Sequence, residues 1–269
     1  MVKKLCLVVL LCASVWAKDN SDRRSGDIDR LKNAGEILDE IMSAPDKGVP
    51  EEIIGKADCI AIVPSLKKGG FIVGGAYGKG VATCRNASGW SAPVFFRIEG
   101  GSVGFQIGAQ EVDLVMVVMN TNGMTRLLHN KAKLGADVSA AAGPVGRHAE
   151  GMTDWKLRAQ VLTYSRARGL FAGVSLEGSS IRQDNDDTRA FYGRMVPYST
   201  SFSGNIPIPA DSQLFLGPVA KYAGGAAAEA KPAESKSTPA NPPAANPAPA
   251  ASTPAPAPAP QPAPNPQVR

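Results

Sequence analysis

The chain is poor in the residues that most often carry out chemistry. Of 269 residues only 6% are aromatic, two are histidine and four are cysteine. His129 and His148 stand alone, with no cysteine or histidine at ligand spacing around either, so no zinc site or other metal site is expected. Acidic and basic side chains nearly cancel, leaving a formal charge of +5. That bias is too weak, and too thinly mixed with aromatics, for a nucleic-acid surface. Past the leader described below, no apolar run reaches the roughly 18 residues that a membrane-spanning helix needs.

What is present is unevenly distributed. Thirteen of the 22 prolines fall between Pro232 and Pro266, and no aromatic residue follows Tyr222. A segment of Pro, Ala, Ser and Asn buries too little apolar surface to offset the entropy of ordering, so residues 226–269 are expected to form a disordered tail. At the other end Lys3 and Lys4, the apolar run from Leu5 to Leu11, and Val15-Trp16-Ala17 at a cleavage position read as a signal peptide over residues 1–17. The expected location is therefore periplasmic or extracellular. Leu10-Leu11 lack the small residues of a lipoprotein signal, which argues against anchoring at Cys12. In an oxidising compartment Cys59 and Cys84 have two readings, a disulfide or two buried thiols on neighbouring strands. Residues 18–225 remain, long enough for one well-buried domain.

Within that domain Ile28, Leu31, Ala34, Leu38, Ile41 and Met42 recur at helical spacing and predict a helix over 27–42, ended by Pro45. Its polar face is acidic on balance, so it is expected to dock on a core. Pro50, Glu51 and Glu52 open a short helix ending near Lys56. Residues 58–63 read as a buried strand closed by Pro64. Between Gly69 and Gly108 there are 11 glycines in 40 positions. Val94, Phe96 and Ile98 alternate with Phe95, Arg97 and Glu99, and Val103, Phe105 and Ile107 alternate likewise. These predict half-buried antiparallel strands, with Gly100-Gly101 as the turn between them. Residues 112–119 are apolar enough for mid-sheet. A short helix is expected over 122–129 and strands over 133–142, 157–165 and 170–181, with a helix over 153–166 as the alternative for part of this stretch. Asp187 is a candidate cap for a last helix through Tyr192. The fold class is α+β: N-terminal helices packed on one curled antiparallel sheet or barrel.

Catalytic motifs are missing. In Gly69-Gly70-Phe71-Ile72-Val73-Gly74-Gly75-Ala76-Tyr77-Gly78-Lys79-Gly80 a P-loop would need a glycine where Val73 stands and a hydroxyl where Gly80 stands. The glycines are read instead as sites of bulging, coiling and close strand contact. Gly173-Val174-Ser175-Leu176-Glu177-Gly178 has its second glycine one residue late for a nucleophile elbow. Asp184-Asn185-Asp186-Asp187 lacks the glycine and distal glutamate of a calcium loop and reads as a capped turn. No enzyme activity and no cofactor are expected.

Ser165-Arg166-Ala167-Arg168-Gly169-Leu170-Phe171-Ala172-Gly173-Val174-Ser175-Leu176-Glu177-Gly178 resembles the hallmark of the SYLF domain family. Residues 57–64, the Gly69 to Gly80 run, residues 101–108, Ala142-Gly143-Pro144-Val145-Gly146-Arg147 and Phe191-Tyr192-Gly193 agree in order, so the resemblance covers about residues 28–194. It implies a binding module. Eukaryotic relatives bind phosphoinositides, yeast relatives also bind and bundle actin, and bacterial relatives are regarded as phospholipid-binding envelope proteins. Export argues against actin and favours anionic phospholipids or a membrane surface as partner. The alternative is a structural envelope protein docking a protein or cell-wall partner, with the tail as spacer. Cations beside the motifs are the headgroup candidates: Lys67 and Lys68 in a turn, Lys79 among glycines, Arg147, and Arg166 with Arg168. Together they are expected to form a discontinuous basic rim at one end of the sheet.

Overall fold

A computed structural model of the chain describes residues 2–44, 48–71, 73–103, 108–129, 133–144, 159–167, 170–173 and 178–224. The expected tail lies outside them. Helix α1 runs Val2–Ser43, longer than the 27–42 predicted, because no proline or glycine interrupts the chain before Gly26. The short helix α2 is Glu51–Gly55, following Pro50. Strands β1 (Cys59–Phe71), β2 (Val73–Asn86), β3 (Gly89–Trp90), β4 (Val94–Val103) and β5 (Gly108–Val118) then follow almost without a break. Helix α3 (Thr121–Leu128) starts at Asn120, whose side chain accepts from Gly123 N–H at 2.7 Å. Strands β6 (Ala140–Ala142), β7 (Val161–Ala167), β8 (Leu170–Gly173) and β9 (Ser180–Gln183) complete the sheet. Helices α4 (Asn185–Tyr192), α5 (Tyr198–Phe202) and α6 (Gln213–Ala223) close the described chain.

The sheet order is β6-β7-β5-β1-β2-β4-β9, with β3 added on β2 and β8 on β7. Every strand pair is antiparallel except β6 with β7, so the expected antiparallel sheet is in fact mixed. Helices pack on both faces. On one, Leu31, Ala34, Leu38 and Ile41 of α1 meet Ile60, Ile62, Phe95, Val115 and Phe215. On the other, Met124 and Leu127 of α3 and Phe202 of α5 meet Ala61, Val63, Phe96, Leu114 and Met116. The half-buried reading of β4 therefore fails at its start, where Phe95 and Phe96 point to opposite faces and are both inaccessible.

Four further expectations change. Pro64 does not end β1: it sits in a bulge, where Ser65 takes a left-handed φ of 58° and the pairing register shifts between Ile62 and Lys67. Proline and positive φ are tolerated there because a bulge leaves a residue out of the ladder, and Asp113 Oδ1 accepts the Ser65 N–H at 3.0 Å. Gly100 and Gly101 are not a turn but lie inside β4, opposite Ala76 and Gly75. Of the strand expected over 133–142, only β6 forms, with Lys133 and Leu134 in isolated bridges. The stretch from Leu170 gives two separate strands, whereas at residues 161–167 the strand reading holds over its helical alternative. The glycine run behaves as read: a side chain at Gly80 would stand 2.6 Å from both the Ile62 carbonyl oxygen and the Phe96 ring, so glycine lets β1 and β2 coil tightly.

Candidate functional site

The charged residues divide into a neutralised interior group and a few cations left open. Asp184 accepts the N–H groups of Asp186 and Asp187 at 3.2 and 3.3 Å, so Asp184, not Asp187, caps α4. Asp187 turns inward, 1% exposed, and receives Lys79 Nζ at 2.9 and 2.8 Å and Arg30 Nη1 at 2.8 Å. Lys79 also lies 3.2 Å from Asp184 Oδ2. Burial pulls the Lys79 ammonium pKa down, but the hydrogen bond and charge of Asp187 and the charge of Asp184 outweigh it and hold the pKa above its ordinary value. Lys79, a candidate headgroup ligand in sequence, is thus paired with two buried carboxylates. Arg166 is paired too. On β7 it stands directly opposite Asp113 of β5, with Nε at 2.8 Å from Oδ2, and it also meets Glu40 of α1. Arg147 and Arg168 lie outside the described residues.

Lys67 and Lys68 stand differently. They are consecutive positions of β1, not a turn, so their side chains leave opposite faces of the sheet. Lys67 is exposed, with Tyr77 and Glu111 as its cross-strand neighbours. Lys68 is half-buried between Ala76 and Gln110, and burial lowers its pKa. Among the described residues neither makes an ion pair. The expected basic rim thus shrinks, among described residues, to this pair at the glycine-rich end of the sheet. There Lys67, Lys68, Tyr77 and Glu111, over Gly69 and Gly75, line an open cleft of about 500 Å³. Tyr77, 47% exposed, is the most exposed large apolar side chain described. Sequence reasoning missed it; the signal was an aromatic residue in a run otherwise dominated by glycine.

At the far end of the same strands, Cys59 and Cys84 sit directly opposite one another, fully buried, and are joined by a disulfide. Among the described residues no three His, Cys, Asp or Glu side chains cluster to hold a metal ion, and no described helix is long and apolar enough to cross a membrane.

Comparison with known proteins gives this geometry a family. Residues 99–222 match the model of the Ysc84 family, described as a Las17-binding protein and actin regulator. The chain is 36% identical over 189 residues to human SH3 domain-containing YSC84-like protein 1, a stretch that is 68% of this chain and 55% of that protein. The rat protein of the same name is 35% identical over the same length and shares. LAS seventeen-binding protein 3 of Saccharomyces cerevisiae is 36% identical over 195 residues, 68% of this chain and 42% of the yeast protein. The chain thus spans about half the length of the relatives it matches. An α+β domain with helices on both faces of one curled sheet, carrying the hallmark motifs in order, belongs to the SYLF, or Ysc84, domain family.

Proposed function

We propose that the protein is an exported, non-catalytic binding module that engages anionic phospholipid headgroups through the open end of its sheet. The observation that carries this reading is the pair Lys67 and Lys68: they border one cleft at the end of the sheet, one from each face of β1, without an ion pair among the described residues, while Lys79 and Arg166 are neutralised. A phosphate brought to Lys68 would relieve the charge that burial penalises there. Export is supported by the leader over residues 1–17 and by the disulfide, which cytosolic thiol buffers would oppose. The relatives' names speak of binding Las17 and regulating actin; an exported domain would not meet these cytosolic partners, so the part carried over is binding itself.

The test is co-sedimentation with phosphatidylglycerol and phosphatidylcholine vesicles. The unaltered protein should pellet with the anionic vesicles alone. Each lysine near an anionic surface contributes about 1 kcal/mol, so Lys67→Ala with Lys68→Ala should weaken binding about 30-fold. No pelleting of the unaltered protein would sink the reading; pelleting that the double variant leaves intact would move the site elsewhere.

A further inference from the structure

The interior charge group does more than neutralise itself. Asp27 of α1, 1% exposed, is the third carboxylate in a space that also holds Asp184 and Asp187, each likewise 1% exposed. Arg30 Nη1 is shared, at 3.1 Å from Asp27 Oδ1 and 2.8 Å from Asp187 Oδ2. Asp27 Oδ2 is buried without a hydrogen-bond partner among the described residues. The groups facing this carboxylate can be counted by element. From α1 come Arg30 and, 3.9 Å from Asp187, Arg23; from β2, Lys79; from β4, Arg97, 3.9 Å from Asp184; from the start of α4, Asp184 and Asp187. Asp187 holds the shorter contacts to both Arg30 and Lys79, so Asp27 is the carboxylate whose charge the cluster satisfies least.

We propose that the N-terminal docking of α1 on β2 and α4 is a proton-dependent latch centred on Asp27, closing more firmly as the surroundings become acidic. Burial first, and then the charge of Asp187, push the Asp27 pKa up to about 7, against the lowering pull of Arg30 and Lys79. In an undocked helix the same carboxyl would ionise near the ordinary value of about 3.9. Between those values the docked state keeps a proton that the undocked state releases. Docking is therefore strongest near pH 4, weakens by up to about tenfold per unit as pH rises to about 7, and is flat above. Asp184 acts in the opposite sense and outside this window. Burial raises its pKa, but Lys79, the Asp187 N–H and Arg97 together hold it below the ordinary range, so its stabilisation is lost only as pH falls below that of a free carboxylate.

The experiment is amide hydrogen exchange on the full chain from pH 5 to 8, corrected for intrinsic rates and read over residues 24–34. In the unaltered protein, protection should fall up to about tenfold per unit to pH 7 and then level. Asp27→Asn, a neutral isostere that leaves Arg30 and Lys79 on Asp187, should be flat with pH and at least tenfold better protected at pH 7.5. Asp187→Asn, which takes a partner from two cations, should lose protection at every pH. A flat profile in the unaltered protein, or an Asp27→Asn variant less protected than it at pH 7.5, would overturn the latch. Should Asp27→Asn fail to fold, carboxyl carbon NMR of the unaltered protein decides: a midpoint near 7 upholds the proposal and one below 5 ends it. None of these readouts involves a lipid, so the latch stands or falls apart from the binding function.

Discussion

The guanidinium of Arg85 sits where four backbone carbonyls converge. Nε donates to Ala57 at 2.7 Å, Nη1 to Gly224 at 3.1 Å, and Nη2 to Gly55 at 3.2 Å and to Ala223. The face of the fork stacks on Trp90, 4.5 Å from the ring centroid, and the indole N–H donates to the same Gly224 carbonyl at 2.8 Å. These carbonyls belong to the C-terminal ends of α2 and α6, where helix dipoles favour a cation. One side chain thus fixes two helix ends against the end of β2. Arg85→Ala should cost about 2–3 kcal/mol, since it strands several acceptors at once. Arg85→Lys should recover less than half of that, because an ammonium cannot reach the same set of acceptors from one plane. Urea denaturation of the three proteins measures both effects. Nothing in the sequence distinguishes Arg85 from a solvated arginine on a strand, because its partners are main-chain atoms up to 139 residues away.

At the scale of elements, α1 and α6 touch most closely where two unlike residues cooperate. Pro218 lies inside α6 and has no N–H, so the Leu214 carbonyl four residues earlier lacks its usual helical donor. Gly35 of α1 moves in against that oxygen: a side chain at Gly35 would stand 2.2 Å from it. Gly35→Ala should therefore push the helices apart and destabilise the domain by about 2 kcal/mol or more, a loss of several degrees in thermal melting. A melting temperature equal to that of the unaltered protein would show that α6 yields without cost. The helical stripe of α1 was legible in sequence because period and composition agreed over six turning points, from Ile28 to Met42. The central place of β5 was legible for a similar reason, an unbroken apolar run from Leu114 to Val118. α6 was not, since a proline inside a helix reads as a boundary. Nor was the continuation of β1 past Pro64, where the bulge depends on Asp113, a residue 48 positions away.

For the whole molecule, the distribution of charge matters more than its sum. The formal charge of +5 is small, and much of the positive charge is held in ion pairs within the chain: Arg30 and Lys79 on Asp187, Arg166 on Asp113, Arg182 on Glu99. The candidate residues followed the same rule. Lys79 and Arg166 looked as free in sequence as Lys67 and Lys68, because ion pairing is set by register across strands and by helix placement, which local composition does not encode. A binding surface reduced to a few cations has a distinct salt response. The screening length falls from about 10 Å at 0.1 M to about 3 Å at 1 M, so contacts made only by exposed lysines should fade over that range. Binding to phosphatidylglycerol vesicles is thus expected to drop by at least an order of magnitude between low salt and about 0.5 M. A chain ending at Gly225 should behave the same, since the residues proposed to bind lie in the domain. Salt-insensitive binding would point to an apolar contact instead, with exposed Tyr77 the first residue to replace. Binding lost only with the tail would favour the docking of a protein or cell-wall partner over a lipid surface.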